Sequence, residues 1–174
     1  MRKTYKIAVK EYQIGASTAY PKLRQIKNNS YYQGLLQNLY ASSDGELYSF
    51  MQFTYQSFML SPFGVAESNI FASLAEEELL HAKQLAEGII LLGGDPIFCG
   101  TQGKWLGGRA VDYVKGLRQM LDLNIEHKEK SIIDYKTTIL KIDEPQIKSM
   151  LISILSQEES HLYKLKGIYR SFKE

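Results

Sequence analysis

The chain has 174 residues, 44% of them hydrophobic and 23% charged, with 21 lysines and arginines set against 19 aspartates and glutamates. That length supports one sizeable core and is short for two, and the scattered charge, without a basic block or tail, argues against a nucleic-acid partner. One cysteine, Cys99, excludes an internal disulfide and any metal site built from several thiolates, which fits a reducing, cytoplasmic setting.

Residues 1–30 read as an irregular arm, with Gly15, Pro21 and the turn cluster Asn28-Asn29-Ser30. The basic start is not followed by an apolar run, so no signal peptide is expected. Within the arm Tyr5, Ile7, Val9, Tyr12 and Ile14 alternate with mostly polar residues. Such a segment suits an extended strap across a second copy, so a homodimer or small homo-oligomer is expected.

Residues 31–174 read as a helical bundle. From 31 to about 60 the apolar spacing is helical, with Leu35, Leu39, Phe50 and Phe53 on one stripe, until Ser61-Pro62-Phe63-Gly64 breaks it. A second helix is predicted from about 65 to 92, ended by Gly93-Gly94-Asp95-Pro96. Its Ile89 to Leu92 run is the longest apolar stretch and is far too short to span a membrane. Residues 97–108 are glycine-rich, carry Cys99 and Trp105, and read as a loop.

A third helix is predicted from about 110 to 140 and a fourth from Pro145 to about 172, with Asp143 as N-cap. Short turns make helices one and two, and three and four, into antiparallel hairpins. The connection at 93–109 can reach roughly 55 Å when extended, more than the ~40 Å length of a 27-residue helix. The expected fold is therefore all-α: a four-helix bundle of two hairpins joined by a long crossover, the arrangement of ferritin-like bundles.

The chemistry lies in the apolar seams. On the fourth helix Ile147, Leu151, Ile154, Glu158, His161, Leu165, Ile168 and Phe172 follow at alternating steps of four and three. On the second, Phe71, Leu74, Glu78, His81, Leu85, Gly88 and Leu92 do the same. A lone carboxylate in such a seam costs several kcal/mol unless paired or metal-bound. A step of three residues sets glutamate and imidazole on one face, where both reach one metal.

Helices one and three should each add a carboxylate. Glu46 lies 32 residues before Glu78, and Glu126 lies 32 before Glu158. A shift of 80 residues superposes Glu46 on Glu126, Glu78 on Glu158 and His81 on His161, along with Tyr55 on Tyr135 and Ser73 on Ser153. Glu129, three residues after Glu126, is an additional candidate ligand. Asp122 is a candidate acceptor for the free ring proton of His81. Glu76, Glu77 and Glu159 are expected in solvent, and His127 is expected to point away.

The pattern Glu46 … Glu78-x-x-His81 … Glu126 … Glu158-x-x-His161 resembles that of the ferritin-like di-iron and di-manganese carboxylate proteins, which include rubrerythrins, bacterioferritins and manganese catalases. The resemblance covers residues 31 to 172. It implies two iron or two manganese ions per chain, with Glu78 and Glu158 bridging, Glu46 and Glu126 terminal, and one histidine on each metal.

The resemblance also implies an oxidoreductase that reduces hydrogen peroxide, or reacts with dioxygen, with an external electron donor in the iron case. The alternatives are a ferroxidase or iron-handling protein, and a coat-type structural protein with a stabilising metal. The four-cysteine rubredoxin module of rubrerythrins proper is absent. Where many relatives carry a tyrosine on helices one and three, this chain has Phe53 and Ile133, with Tyr55 and Tyr135 two residues further on.

Overall fold

A computed structural model describes residues 20–103 and 107–171. They form five α-helices: α1 (Ser30–Ala41), α2 (Glu46–Leu60), α3 (Ala66–Leu91), α4 (Leu117–Leu140) and α5 (Pro145–Ser171). No strand occurs among the described residues. Helix α2 packs along α3 and α4 along α5, giving the two hairpins, while α1 extends the α2 column against α3. The architecture is the expected ferritin-like bundle. None of the helices is long and apolar enough to cross a membrane. Of the arm, residues 1–19 and their alternating apolar positions lie outside the described residues, as does Trp105.

Three local expectations are corrected. The first helix is broken: Ser42-Ser43-Asp44-Gly45 turns the chain between α1 and α2, with the Gly45 amide donating to the Ser42 carbonyl at 3.1 Å. A Cβ at Gly45 would stand 2.7 Å from the Leu39 carbonyl oxygen, so only glycine fits there. The break makes Glu46 the first residue of α2, where the helix dipole favours a negative charge.

Helix α4 starts at Leu117 rather than near 110. The Gln52 side chain accepts from the Asp112 amide at 2.8 Å and donates to its carbonyl at 3.0 Å, which takes both backbone groups that a helix would need. The cap of α5 is Glu144, whose carboxylate accepts from the Ile147 amide at 2.7 Å. The Asp143 amide instead donates to the Tyr32 hydroxyl at 3.1 Å.

The bundle holds two apolar clusters. One gathers Leu36, Leu39, Leu85, Ile89, Leu151 and Ile154, with Leu23 of the arm added to it. The other gathers Phe53, Phe71, Leu74, Leu121 and Leu165. On α3 the pair Glu78 and His81 falls between Leu74 and Leu85, and on α5 Glu158 and His161 fall between Ile154 and Leu165. A polar layer thus separates two dry halves. At the end of α3 Gly93 takes φ 89°, a left-handed conformation that closes the helix.

Candidate metal centre

Glu46, Glu78, His81, Glu158 and His161 meet in the polar layer, each 2% exposed or less. His81 Nδ1 stands 3.4 Å from Glu46 Oε2 and 3.3 Å from Glu158 Oε1. His161 Nδ1 stands 3.0 Å from Glu78 Oε1 and 3.3 Å from Glu158 Oε1. Glu46, Glu78, His81 and Glu158 offer ligand atoms that all lie within 4.8 Å of one another.

The outer ring nitrogens are tied down. His81 Nε2 faces Gln157 Oε1 at 3.3 Å, and His161 Nε2 faces Glu77 Oε2 at 2.6 Å. A proton on each Nε2 leaves each Nδ1 lone pair aimed inward. Gln157 and Glu77 are themselves related by the 80-residue shift, and each serves the histidine of the opposite hairpin. Glu77 is therefore a partner of the centre rather than a solvated residue. Asp122, the expected acceptor for His81, is exposed.

The α4 contribution differs from the expected one. Its inward face is Leu121, Asn124, Lys128, Ser131, Tyr135 and Thr138, at steps of three and four, all buried. Glu126 falls two residues from both Asn124 and Lys128, which turns it about 200° away, and it is exposed. Glu129 is exposed and pairs with Lys166 at 2.5 Å. The inward place belongs to Lys128, 2% exposed, whose ammonium donates to Glu78 Oε2 and Glu158 Oε2 at 2.7 Å each. It also lies 5.7 Å from the centroid of the Phe53 ring. Ser131 donates to Glu158 Oε2 at 3.2 Å, and the Tyr135 hydroxyl donates to Glu46 Oε1. Tyr55 instead packs edge-on against Tyr113.

The charges shape one another. Burial, then the Glu158 and Glu78 charges, push the Glu46 carboxyl up to about 7. Burial and Glu158 also work upward on Glu78, but Lys128 and His161 prevail and hold it at about 2. Burial opposes a charge on His81, yet Glu46 and Glu158 raise it to about 10. His161 is raised against its burial by Glu158, Glu77 and Glu78.

Metal is what these residues fit. Glu46 Oε2, Glu78 Oε1, His81 Nδ1, Glu158 Oε1 and His161 Nδ1 are buried and have no hydrogen-bond partner among the described residues. Those of Glu46, Glu78, His81 and Glu158 lie close together, and such a buried cluster is costly unless protons or a metal cation are held within it. Carboxylate oxygens with imidazole nitrogens form a set suited to iron or manganese. Glu46→Ala is expected to lower metal affinity at least about tenfold, whereas Glu126→Ala and Glu129→Ala leave it unchanged in an anaerobic titration. Loss of metal from Glu126→Ala would put the α4 phase in error.

The sequence matches the ferritin-like domain family over residues 36–174, and the chain belongs to that family. Its fold superposes on the manganese catalase KatB from Anabaena PCC7120 with a TM-score of 0.78 at 18% identity, covering 92% of this chain and 81% of that one. It superposes on the Desulfovibrio desulfuricans bacterioferritin, which has a diiron site, with a TM-score of 0.70 at 21% identity, covering 83% of this chain and 81% of that one. The Rhodobacter capsulatus bacterioferritin gives 0.71 at 17% identity over 85% of this chain and 89% of its own. A search of curated protein sequences finds no match.

Proposed function

We propose that the chain is an oxidoreductase whose iron or manganese centre, held by Glu46, Glu78, His81, Glu158 and His161, reduces hydrogen peroxide. The observation that carries this is the set of five buried donor atoms without hydrogen-bond partners. A redox metal there would supply electrons for O–O cleavage: H2O2, two protons and two electrons give two waters. The external donor supplies the two electrons, by re-reducing the metal and by making up any electron that the centre itself does not hold, and the reading includes a small homo-oligomer, as the sequence suggests.

The protein's own part is access and proton placement. A cleft of about 420 Å³ is lined by residues of the α1–α2 break, by Gly100 and Thr101 of the crossover, and by Ser131 and Tyr135 of α4. Those last two hydroxyls donate to Glu158 and Glu46, so a small polar molecule in the cleft is one side chain from the centre. Their oxygens remain able to accept a hydrogen bond from peroxide. Burial and the neighbouring Glu46 charge raise the Tyr135 phenol well above its usual range, which keeps its proton in place.

Stopped-flow mixing of reduced, metal-loaded protein with each oxidant tests the reading. Peroxide is expected to oxidise the centre faster than dioxygen, because O–O cleavage in peroxide takes two electrons and full reduction of dioxygen takes four. A dioxygen reaction at least as fast would favour a ferroxidase, and no spectral change with either would favour a structural metal.

A further inference from the structure

Lys128 changes what the centre holds. A two-metal site of this kind needs carboxylates that lend one oxygen to each ion. In Glu78 and Glu158 the Oε2 atoms are both engaged at 2.7 Å by the Lys128 ammonium, and only the Oε1 atoms are left open. The open donors are then five: three carboxylate oxygens and two imidazole nitrogens. Shared between two ions they would give each two or three protein ligands. The four of Glu46, Glu78, His81 and Glu158, whose donor atoms lie within 4.8 Å of one another, suffice to hold one ion and leave room on it for a small ligand.

Distance and charge agree. Bonds of about 2.1 Å to first-row and similar divalent ions allow donors around one ion to stand up to ~4.2 Å apart. The separations of His81 Nδ1 from Glu46 and Glu158, 3.4 and 3.3 Å, fall inside that limit, and the donor atoms of Glu46, Glu78, His81 and Glu158 lie within 4.8 Å of one another, so a small inward closure of those four serves one ion. Three buried carboxylates against one buried ammonium leave two negative charges, the complement of a single divalent ion with neutral imidazoles. A second divalent ion would leave an excess of two positive charges in a layer sealed from water, which is costly. The aromatic face of Phe53 beside the ammonium adds a further contact suited to a cation.

We infer that this centre takes one divalent ion per chain, the place of a second being filled by the ammonium of Lys128. The inference rests on reading the cluster as a metal centre. Loading the full chain anaerobically with manganese(II) alone, and separately with iron(II) alone, followed by elemental analysis, is expected to give one ion per chain. The electron paramagnetic resonance of the manganese form is expected to be that of an isolated ion.

Lys128→Glu, which replaces the ammonium with a further carboxylate, is expected to raise the count to two and to couple the spins. If that variant does not fold, Lys128→Gln removes the charge without adding a ligand. It is expected to take up a second ion at higher metal concentration. Two coupled ions in the natural chain would overturn this inference and leave the metal reading standing. A folded Lys128→Glu, or failing it Lys128→Gln, that still binds only one ion would also overturn it. A natural chain that binds none would overturn both.

Discussion

Glu158→Ala is expected to abolish metal binding and to lower the stability of the metal-free protein by about 3–5 kcal/mol, the cost of breaking a buried ion pair. Glu158 receives Lys128 at 2.7 Å and Ser131 at 3.2 Å, and stands 3.3 Å from both histidine Nδ1 atoms. Its removal leaves the Lys128 ammonium buried with Glu78 as its one remaining carboxylate partner and opens a cavity in the polar layer. At roughly 2–4 °C per kcal/mol for a chain of this size, the melting temperature should fall by about 10 °C. Glu159→Ala is the control. Its carboxylate is 50% exposed and pairs with Lys136 at 2.8 Å, so a change within about 0.5 kcal/mol is expected. Scanning calorimetry of both variants measures the difference, and equal effects would mean that the helical phase of α5 is wrong.

The second large effect is a reversal in pH dependence. In the metal-free protein His81 is raised from 6.5 to about 10, so the folded state binds more protons than the unfolded state between those values. Its stabilising contribution is complete below pH 6.5 and is lost as the pH rises through 10. Glu46, raised from 4.5 to about 7, works in the same direction in its own window. Glu78, lowered from 4.5 to about 2, works the other way, and its contribution is lost as the pH falls through 2.

The metal-free protein should therefore be most stable near pH 4.5 and should melt progressively lower above that, first as Glu46 and then as His81 loses its proton. Metal ligation requires the deprotonated imidazoles and carboxylates, so the metal-bound form gains on the metal-free form as the pH rises. Melting curves with and without saturating manganese should diverge upward in pH. Parallel curves would mean that the histidines do not meet the metal.

Much of this was legible from the amino acids. The seams of α3 and α5 are apolar except at Glu78, His81, Glu158 and His161, so their ionisable members stand out against a clear period. Helix α4 gave no such contrast. Its inward face runs through Asn124, Lys128, Ser131, Tyr135 and Thr138, polar at every step, and hydrophobic periodicity is blind to a face that is not hydrophobic. The 80-residue repeat then pointed to Glu126, because symmetry was applied where phase could not be. Continuing the steps of three and four from Leu121 reaches Lys128 and Tyr135 directly. The α1–α2 break was visible in Ser42-Ser43-Asp44-Gly45, a turn-forming run that the surrounding apolar stripe masked. Gln157 and Glu77 could be read only in three dimensions, since each acts across to the other hairpin.

That crossed pairing makes the two imidazoles unequal as electron donors. Gln157 offers His81 a neutral amide oxygen, whereas Glu77 offers His161 a carboxylate, held below the usual range by its bond to that same ring. Hydrogen bonding to a carboxylate pushes electron density into an imidazole, so His161 is the stronger σ-donor of the pair. A metal held between these two near-copies of one hairpin would therefore meet unequal imidazoles, with the richer nitrogen on the α5 side.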